Sequence, residues 1–152
     1  MIAPTLLGPL DVLGEELVAG VTMIEFVLLG LVVVNLGLRG YAHRNHVRGA
    51  RENGPDGIER LLPLDVTTVL IVLGGFYYMT IHLHGGVVFT VLALGLLITD
   101  FFEYEARLVE ARTEKPLERP KAAIVASTFV FLYIAYQSLF FVIRPAWELI
   151  VA

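Results

Sequence analysis

Six polar side chains set inside long apolar runs hold most of the chemistry this sequence offers: Glu25, Tyr78, His82, His84, Tyr133 and Gln137. A carboxyl, an imidazole and phenols at matching depth can pass a proton or hold a cation, because each carries a lone pair or an exchangeable proton. Glu25 with the His82-Leu83-His84 triplet would supply one oxygen and two nitrogens, a donor set suited to Zn²⁺ or Cu²⁺. On a regular helix positions i and i+2 face apart, so this set requires the helix to end at His82 and an extended His84 to swing back. A haem on His82 lacks a second axial histidine in another apolar run. His43 and His46 are three apart on one helix face, a metal-compatible spacing that supplies two ligands only. The sequence has no cysteine, which removes disulfides, iron–sulfur clusters and thiol nucleophiles together. No catalytic residue is assigned, and no cofactor is expected beyond a metal at the His82/His84 turn.

These side chains are positioned by four apolar runs, over residues 17–38, 64–83, 86–102 and 122–143. Each is about the length that crosses a bilayer as a helix, roughly 17–25 residues. The chain has 152 residues, 57% apolar and 17% charged, which leaves room for one membrane domain. The expected fold is all-α: a four-helix bundle of two antiparallel hairpins, with cytoplasmic loops at 39–63 and 103–121. Residues 1–16 lack the basic start of a signal peptide, so the first run is expected to be kept. Ten of the eleven basic residues fall in those two loops. Basic residues mark the cytoplasmic side, so both termini and the 84–86 turn are expected outside. The net charge of −4 and the mixing of acids with bases argue against a nucleic-acid partner.

Turn chemistry sets the expected boundaries. Gly85 and Gly86 allow positive φ and are expected to reverse the chain. Asn53-Gly54-Pro55-Asp56-Gly57 should end the first helix. Asp56 with Glu59 resembles a capping box for a short helix before Pro63, and Asp65 sits where the second run would be N-capped. Pro116 should stop the third helix and Pro120 suits the first turn of the fourth. The Glu103, Arg107 and Glu110 spacing predicts that the third helix continues as a solvated extension, or as a docking surface.

Ionisable groups inside a span cost several kcal/mol, about, unless paired, so they face the bundle interior. Counted from the start of its run, Glu25 would lie roughly 12 Å deep. Helical spacing groups Ile71, Gly75, Tyr78 and His82 on one face. It likewise groups Gly86, Thr90, Ala93 and Asp100, and then Ala126, Tyr133, Gln137 and Arg144. These stripes predict a polar cluster in the outer half of the bundle, with Asp65 and Asp100 near the inner end. The ordinary reading of such a cluster is hydrogen-bonding glue between helices, with Glu25 protonated and donating to Gln137, Tyr78 or His82.

The turn His82-Leu83-His84-Gly85-Gly86, the run Thr99-Asp100-Phe101-Phe102-Glu103-Tyr104-Glu105-Ala106-Arg107 and the final Tyr136-Gln137-Ser138 resemble uncharacterised small four-span membrane proteins of haloarchaea. The resemblance covers most of the chain and implies a fold and a host, not an activity. Nine arginines against two lysines and an acidic balance fit that host, as they fit a GC-rich bacterium. A glutamate in the first of four spans is also similar to the small multidrug exporters, but the long charged loops depart from them and no residue roles carry over.

Three functions follow as expectations. The first is a non-enzymatic accessory protein or subunit of a membrane complex, meeting the lipid bilayer and a protein partner through its cytoplasmic loops. The second is a proton- or ion-coupled small transporter acting as a homo-oligomer, with Glu25 as the protonation site. The third is a metal-binding membrane protein using His82, His84 and Glu25.

Overall fold

The computed structural model describes residues 8–151; residues 1–7, placed outside by the charge argument, and Ala152 lie outside the described residues. Four helices dominate: α1 (Met23–Asn53), α2 (Leu62–Ile81), α3 (Leu83–Arg112) and α4 (Lys121–Val151). All four are long and apolar enough to cross a membrane. Each helix packs against two others: α1 and α3 both lie against α2 and α4. The bundle is therefore a ring in chain order, and the pairs α1/α3 and α2/α4 face each other across it.

The first apolar run does not begin as helix. Glu16–Val18 (β1) pairs antiparallel with Val21–Thr22 (β2) around Ala19 and Gly20, whose φ values are 49° and 81°. Two successive positive φ angles suit a two-residue hairpin turn. The Glu16 carboxylate locks it by accepting the Gly20 N–H at 2.8 Å. Helix α1 starts only at Met23, so Glu25 stands in its first turn rather than two turns deep. Ahead of the hairpin, a 3₁₀ segment at Gly8–Gly14 folds onto α2, where the Tyr77 hydroxyl donates to the Leu10 carbonyl at 2.8 Å.

The reversal between α2 and α3 is tighter than the glycines suggested. His82 alone is non-helical, with φ −128° and ψ 98°, and α3 resumes at Leu83. Gly85 and Gly86 are inside α3 and neither has positive φ. They serve close approach instead. A Cβ on Gly86 would run into the backbone of Met79, and one on Gly85 would stand 2.9 Å from the Tyr78 hydroxyl. Gly75 is the matching position on α2, where a Cβ would lie 2.6 Å from Thr90 Oγ1.

At the end of the bundle away from the α2–α3 turn, labelled inner to distinguish it from the outer end at that turn, the expected loops are largely helix. Helix α1 continues to Asn53 and breaks at Gly54, φ 63°, as the Asn-Gly-Pro-Asp-Gly run required. A 3₁₀ turn at Gly54–Gly57 follows. No short helix opens at Asp56, and α2 is capped by Leu61 with Pro63 in its first turn, so Asp65 is not the cap. Helix α3 ends at Arg112, four residues before Pro116, where Glu114 takes φ 58°. Pro120 directly precedes α4, its carbonyl accepting the Ile124 N–H. Helix α4 runs on through Pro145 to Val151, past the expected end at 143.

The core is built mainly of aliphatic and aromatic side chains: Leu28, Ile71, Phe89 and Ile134 are fully buried, as is Tyr78, with Val32 and Leu96 close behind. The outward faces are also apolar, with Val33, Val69, Leu73, Phe76, Val91 and Leu132 among the exposed side chains. The stripe expected on α4 is displaced by one position. Ala123, Ser127, Val130, Ile134 and Ser138 form its buried face, while Ala126, Tyr133 and Gln137 flank that face and Arg144 is exposed. Substituting Leu at Gly75 or Gly86 should lower stability in detergent by about 1–3 kcal/mol, because the helices would be forced apart. Leu at Gly95, where nothing lies within 4 Å of an added Cβ, should leave it unchanged. Equal thermal midpoints for all three variants would contradict this packing.

Candidate functional site

Two polar clusters lie at opposite ends of the apolar layer. The outer one contains Glu25, 4% exposed, whose carboxyl is bordered by the Tyr78 and Thr22 hydroxyls. His82 Nε2 stands 3.5 Å from Glu25 Oε1. The Tyr78 hydroxyl donates to Gln137 Oε1 at 3.3 Å, and Gln137 Nε2 donates to the Tyr133 hydroxyl at 3.2 Å. Tyr78 also meets the edges of the His82 and Phe89 rings, at centroid distances of 5.8 and 6.4 Å. The Tyr78–Gln137 bond spans the α2/α4 diagonal.

Above this cluster opens a vestibule of about 560 Å³, with Glu25, His82 and Gln137 among its lining and His84 and Arg144 beside them. A carboxyl in the first turn of a helix benefits from the free N–H groups and positive dipole end there. Thr22-Met23-Ile24-Glu25 has capping-box spacing, which could have signalled a helix start at this point. His84 does not swing back toward Glu25, because it is already in the first turn of α3. It borders the same vestibule, yet among the described residues no group of three His, Asp or Glu side chains is arranged to hold a metal. His43 and His46 are both engaged elsewhere.

The inner cluster was not anticipated. Arg39, counted above as a loop residue, is 5% exposed and forms a two-pronged ion pair with Asp100 across the α1/α3 diagonal. Its second prong, Nη2 to Asp100 Oδ2, is 3.0 Å. Arg39 Nη2 also donates to Asn35 Oδ1 at 2.8 Å, and Asn35 Nδ2 donates to the hydroxyls of Thr67 and Thr68, each at 2.9 Å. Thr68 in turn lies 3.4 Å from Asp100 Oδ2. Leu28, Val32, Asn35, Arg39, Ala42 and His46 make one continuous buried stripe of α1. That helical spacing was available in the sequence; what hid it was the assignment of Arg39 to a loop.

Below the pair, the helical extensions are tied together. Arg107, 5% exposed, contacts His43 Nδ1 at 3.0 Å, again across the α1/α3 diagonal. An arginine only donates, so this bond needs a neutral His43 with its proton on Nε2. His46 Nε2 lies 2.8 Å from the Glu59 carbonyl, and its ring meets Tyr104 edge-on at 5.9 Å. Arg60 sits over the Tyr104 ring at 4.2 Å and 3.5 Å from Asp65. Glu103 accepts the Ala122 N–H at 3.2 Å at the start of α4. A cavity of about 40 Å³ lies among Arg39, His43, His46, Asp100 and Arg107. That is space for a water, and both Arg39 Nε and His46 Nδ1 are buried without a partner.

Burial pushes His46 below its ordinary value of 6.5, with Arg107 and His43 adding to the shift. Burial does the same to His43, helped by the positive charges of Arg107 and Arg119. Desolvation also lowers Arg107.

The fold and its two clusters define a four-helix protein with candidate membrane spans and paired polar groups at each end. A family model described as a domain of unknown function, DUF7313, matches residues 3–151, and the chain belongs to that family. No curated protein and no solved structure matches the chain.

Removing one member of a buried ion pair leaves the other charge uncompensated. Asp100→Asn should therefore destabilise the bundle by about 3–5 kcal/mol. The double change Arg39→Met with Asp100→Leu should restore most of the loss; thermal unfolding in detergent measures both, and a double variant no better than the single would contradict the pairing.

A histidine held below its unfolded value stabilises the fold fully above that value and progressively less as pH falls through the folded one. Hydrogen-exchange protection across residues 42–62, corrected for the slower intrinsic exchange in acid, should thus fall as pH drops below 6.5. His46→Gln keeps a donor for the Glu59 carbonyl and should make that acid response shallower. An unchanged response would locate the sensitivity elsewhere.

Proposed function

We propose that this chain is a multi-pass integral membrane protein with both termini outside, acting as a non-enzymatic accessory protein or subunit of a membrane complex. The observation that carries this reading is the rigid inner platform. Helix α1 extends 14 residues beyond Arg39, about 21 Å at 1.5 Å per residue, and α3 extends similarly beyond Asp100. The facing sides of these extensions are consumed by the His43–Arg107, His46–Glu59 and Arg60–Tyr104 contacts. Their outer sides present Arg48 and Arg51 on α1, and Glu105, Val109 and Arg112 on α3. An ordered, charged surface of this kind loses little conformational freedom when a partner docks.

The apolar outward faces of the helices support insertion in a bilayer, since contiguous apolar surface of this extent is unfavourable in water. The arginine asymmetry supports the orientation. The resemblance and the arginine-rich, acidic composition support a haloarchaeal host.

A second reading, the ion-coupled carrier, is favoured by the outer vestibule that ends at Glu25. The fully buried layer of Leu28, Ile71, Phe89 and Ile134 stands between Glu25 and the inner cluster. A carrier would have to part that layer or work as an oligomer.

The protein should stay in the membrane pellet after alkaline extraction. With no native cysteine, His84→Cys should react with an impermeant reagent in intact cells and Glu52→Cys should not. A photo-crosslinker at Arg48 or Val109 should give one discrete adduct in native membranes, and one at Phe76 should not. Adducts to a second copy alone, together with pH-gradient discharge in proteoliposomes that Glu25→Gln abolishes, would replace this reading with the carrier.

A further inference from the structure

A groove of about 380 Å³ runs between α1 and the start of α4, outside both polar clusters. Leu36 and Ile124 form its apolar part, Gly40 its floor, and His43, Arg44 and Arg119 its other end. The depth of this groove is defined by Arg39, which backs it and marks the inner limit of the apolar layer. The groove is therefore apolar toward the bundle centre and cationic toward the inner surface.

Its charges are unspent. Among the described residues the close pairs of basic and acidic side chains are Arg39 with Asp100, Arg60 with Asp65, His82 with Glu25 and Arg144 with Glu148, and neither Arg44 nor Arg119 takes part. Both are exposed. Glu103 of α3, which faces the start of α4, is already bound to the Ala122 N–H. Besides burial, Arg107 and Arg119 disfavour a proton on His43, and Glu110 opposes them in part.

We propose that this groove is a binding site for one anionic phospholipid, its phosphate between Arg44 and Arg119 and an acyl chain over Leu36 and Ile124. The absence of a side chain at Gly40 makes the room, since nothing lies within 4 Å of a Cβ added there. Leu36 on α1 and Ile124 on α4 form an apolar track at the other end of the groove. An acidic protein segment would use the cations but leave that track bare, so charge and shape together select a lipid. Arginine suits the phosphate because its planar fork can make two hydrogen bonds at once.

This site rests on the membrane reading, so it is tested on protein that has remained in the membrane pellet after alkaline extraction. Failure at that step removes the membrane reading; failure afterwards removes only the site. The purified, delipidated protein is titrated with phosphatidylglycerol, phosphatidylcholine and glycerol 3-phosphate, and lipid retention is read by native mass spectrometry. Phosphatidylglycerol should be retained and the other two should not. Arg44→Gln with Arg119→Gln should weaken retention about ten- to thirty-fold, the loss expected for two cations facing an anionic headgroup. Gly40→Trp, which alters no charge, should weaken it as well by filling the groove. Arg48→Gln with Arg51→Gln removes the same charge outside the groove and should have no effect. Equal retention of the two lipids would overturn the proposal, as would equal losses from the two arginine pairs. Retention of glycerol 3-phosphate as strong as that of the lipid would do the same, marking a site for free phosphate. An acidic peptide that displaces the lipid from wild type but not from Gly40→Trp would assign the groove to a protein.

Discussion

The Arg39 guanidinium, which can only donate hydrogen bonds, is buried inside the bundle. Everything at the inner end is arranged around that fact. Asp100 supplies the counter-charge from the helix diagonally opposite, and Asn35 takes a further N–H. Thr67 and Thr68 then hold the Asn35 amide, so α2 joins the same network. A buried charge tolerates little change in geometry, because a lost partner leaves desolvation uncompensated. The pair therefore sets the relative depth of α1 and α3, two helices that otherwise meet little. Tyr78 and Gln137 do the corresponding service for α2 and α4 at the outer end, with neutral groups and a longer bond.

Between these diagonals lies a mostly apolar layer, with the Thr90 hydroxyl buried in it. Its consequence is a division of labour along the bundle axis. The outer end is an open vestibule with a carboxyl at the first turn of a helix. The inner end is closed, ionic and prolonged into helical extensions. The inner end carries exposed charge on two long helical extensions, and the accessory or subunit reading is drawn from it. The vestibule keeps the carrier reading alive, because a site open to one side and sealed from the other is one of the two states such a protein would need.

The helices themselves were legible because their information is local. Long apolar runs, the Asn-Gly-Pro-Asp-Gly break and the charge spacing of the third helix all report on backbone within a few residues. The failures have physical causes too. Apolar content in residues 17–22 looked like the start of a span, yet Ala19 and Gly20 in left-handed conformations make a hairpin there, and Glu25 shifts from deep in a helix to its first turn. Gly85 and Gly86 were read as a turn because glycine permits one. The chain instead turns at His82, and the glycines let α3 pass close over Met79 and Tyr78. His84 accordingly belongs to the first turn of α3 rather than to an extended segment.

Arg39 shows most clearly where the sequence stops. Its spacing from Leu28, Val32 and Asn35 places it on the buried face of α1, and the sequence by itself determines that once the helix is known to continue. Likewise, composition and hydropathy alone determine four helices with apolar outward faces and a strong asymmetry of basic residues. Which carboxylate would neutralise Arg39, however, depended on α1 and α3 lying across a ring from each other, 61 positions apart in sequence. Pairing at that distance is decided by how the helices pack, since local spacing carries no record of which faces meet across a bundle.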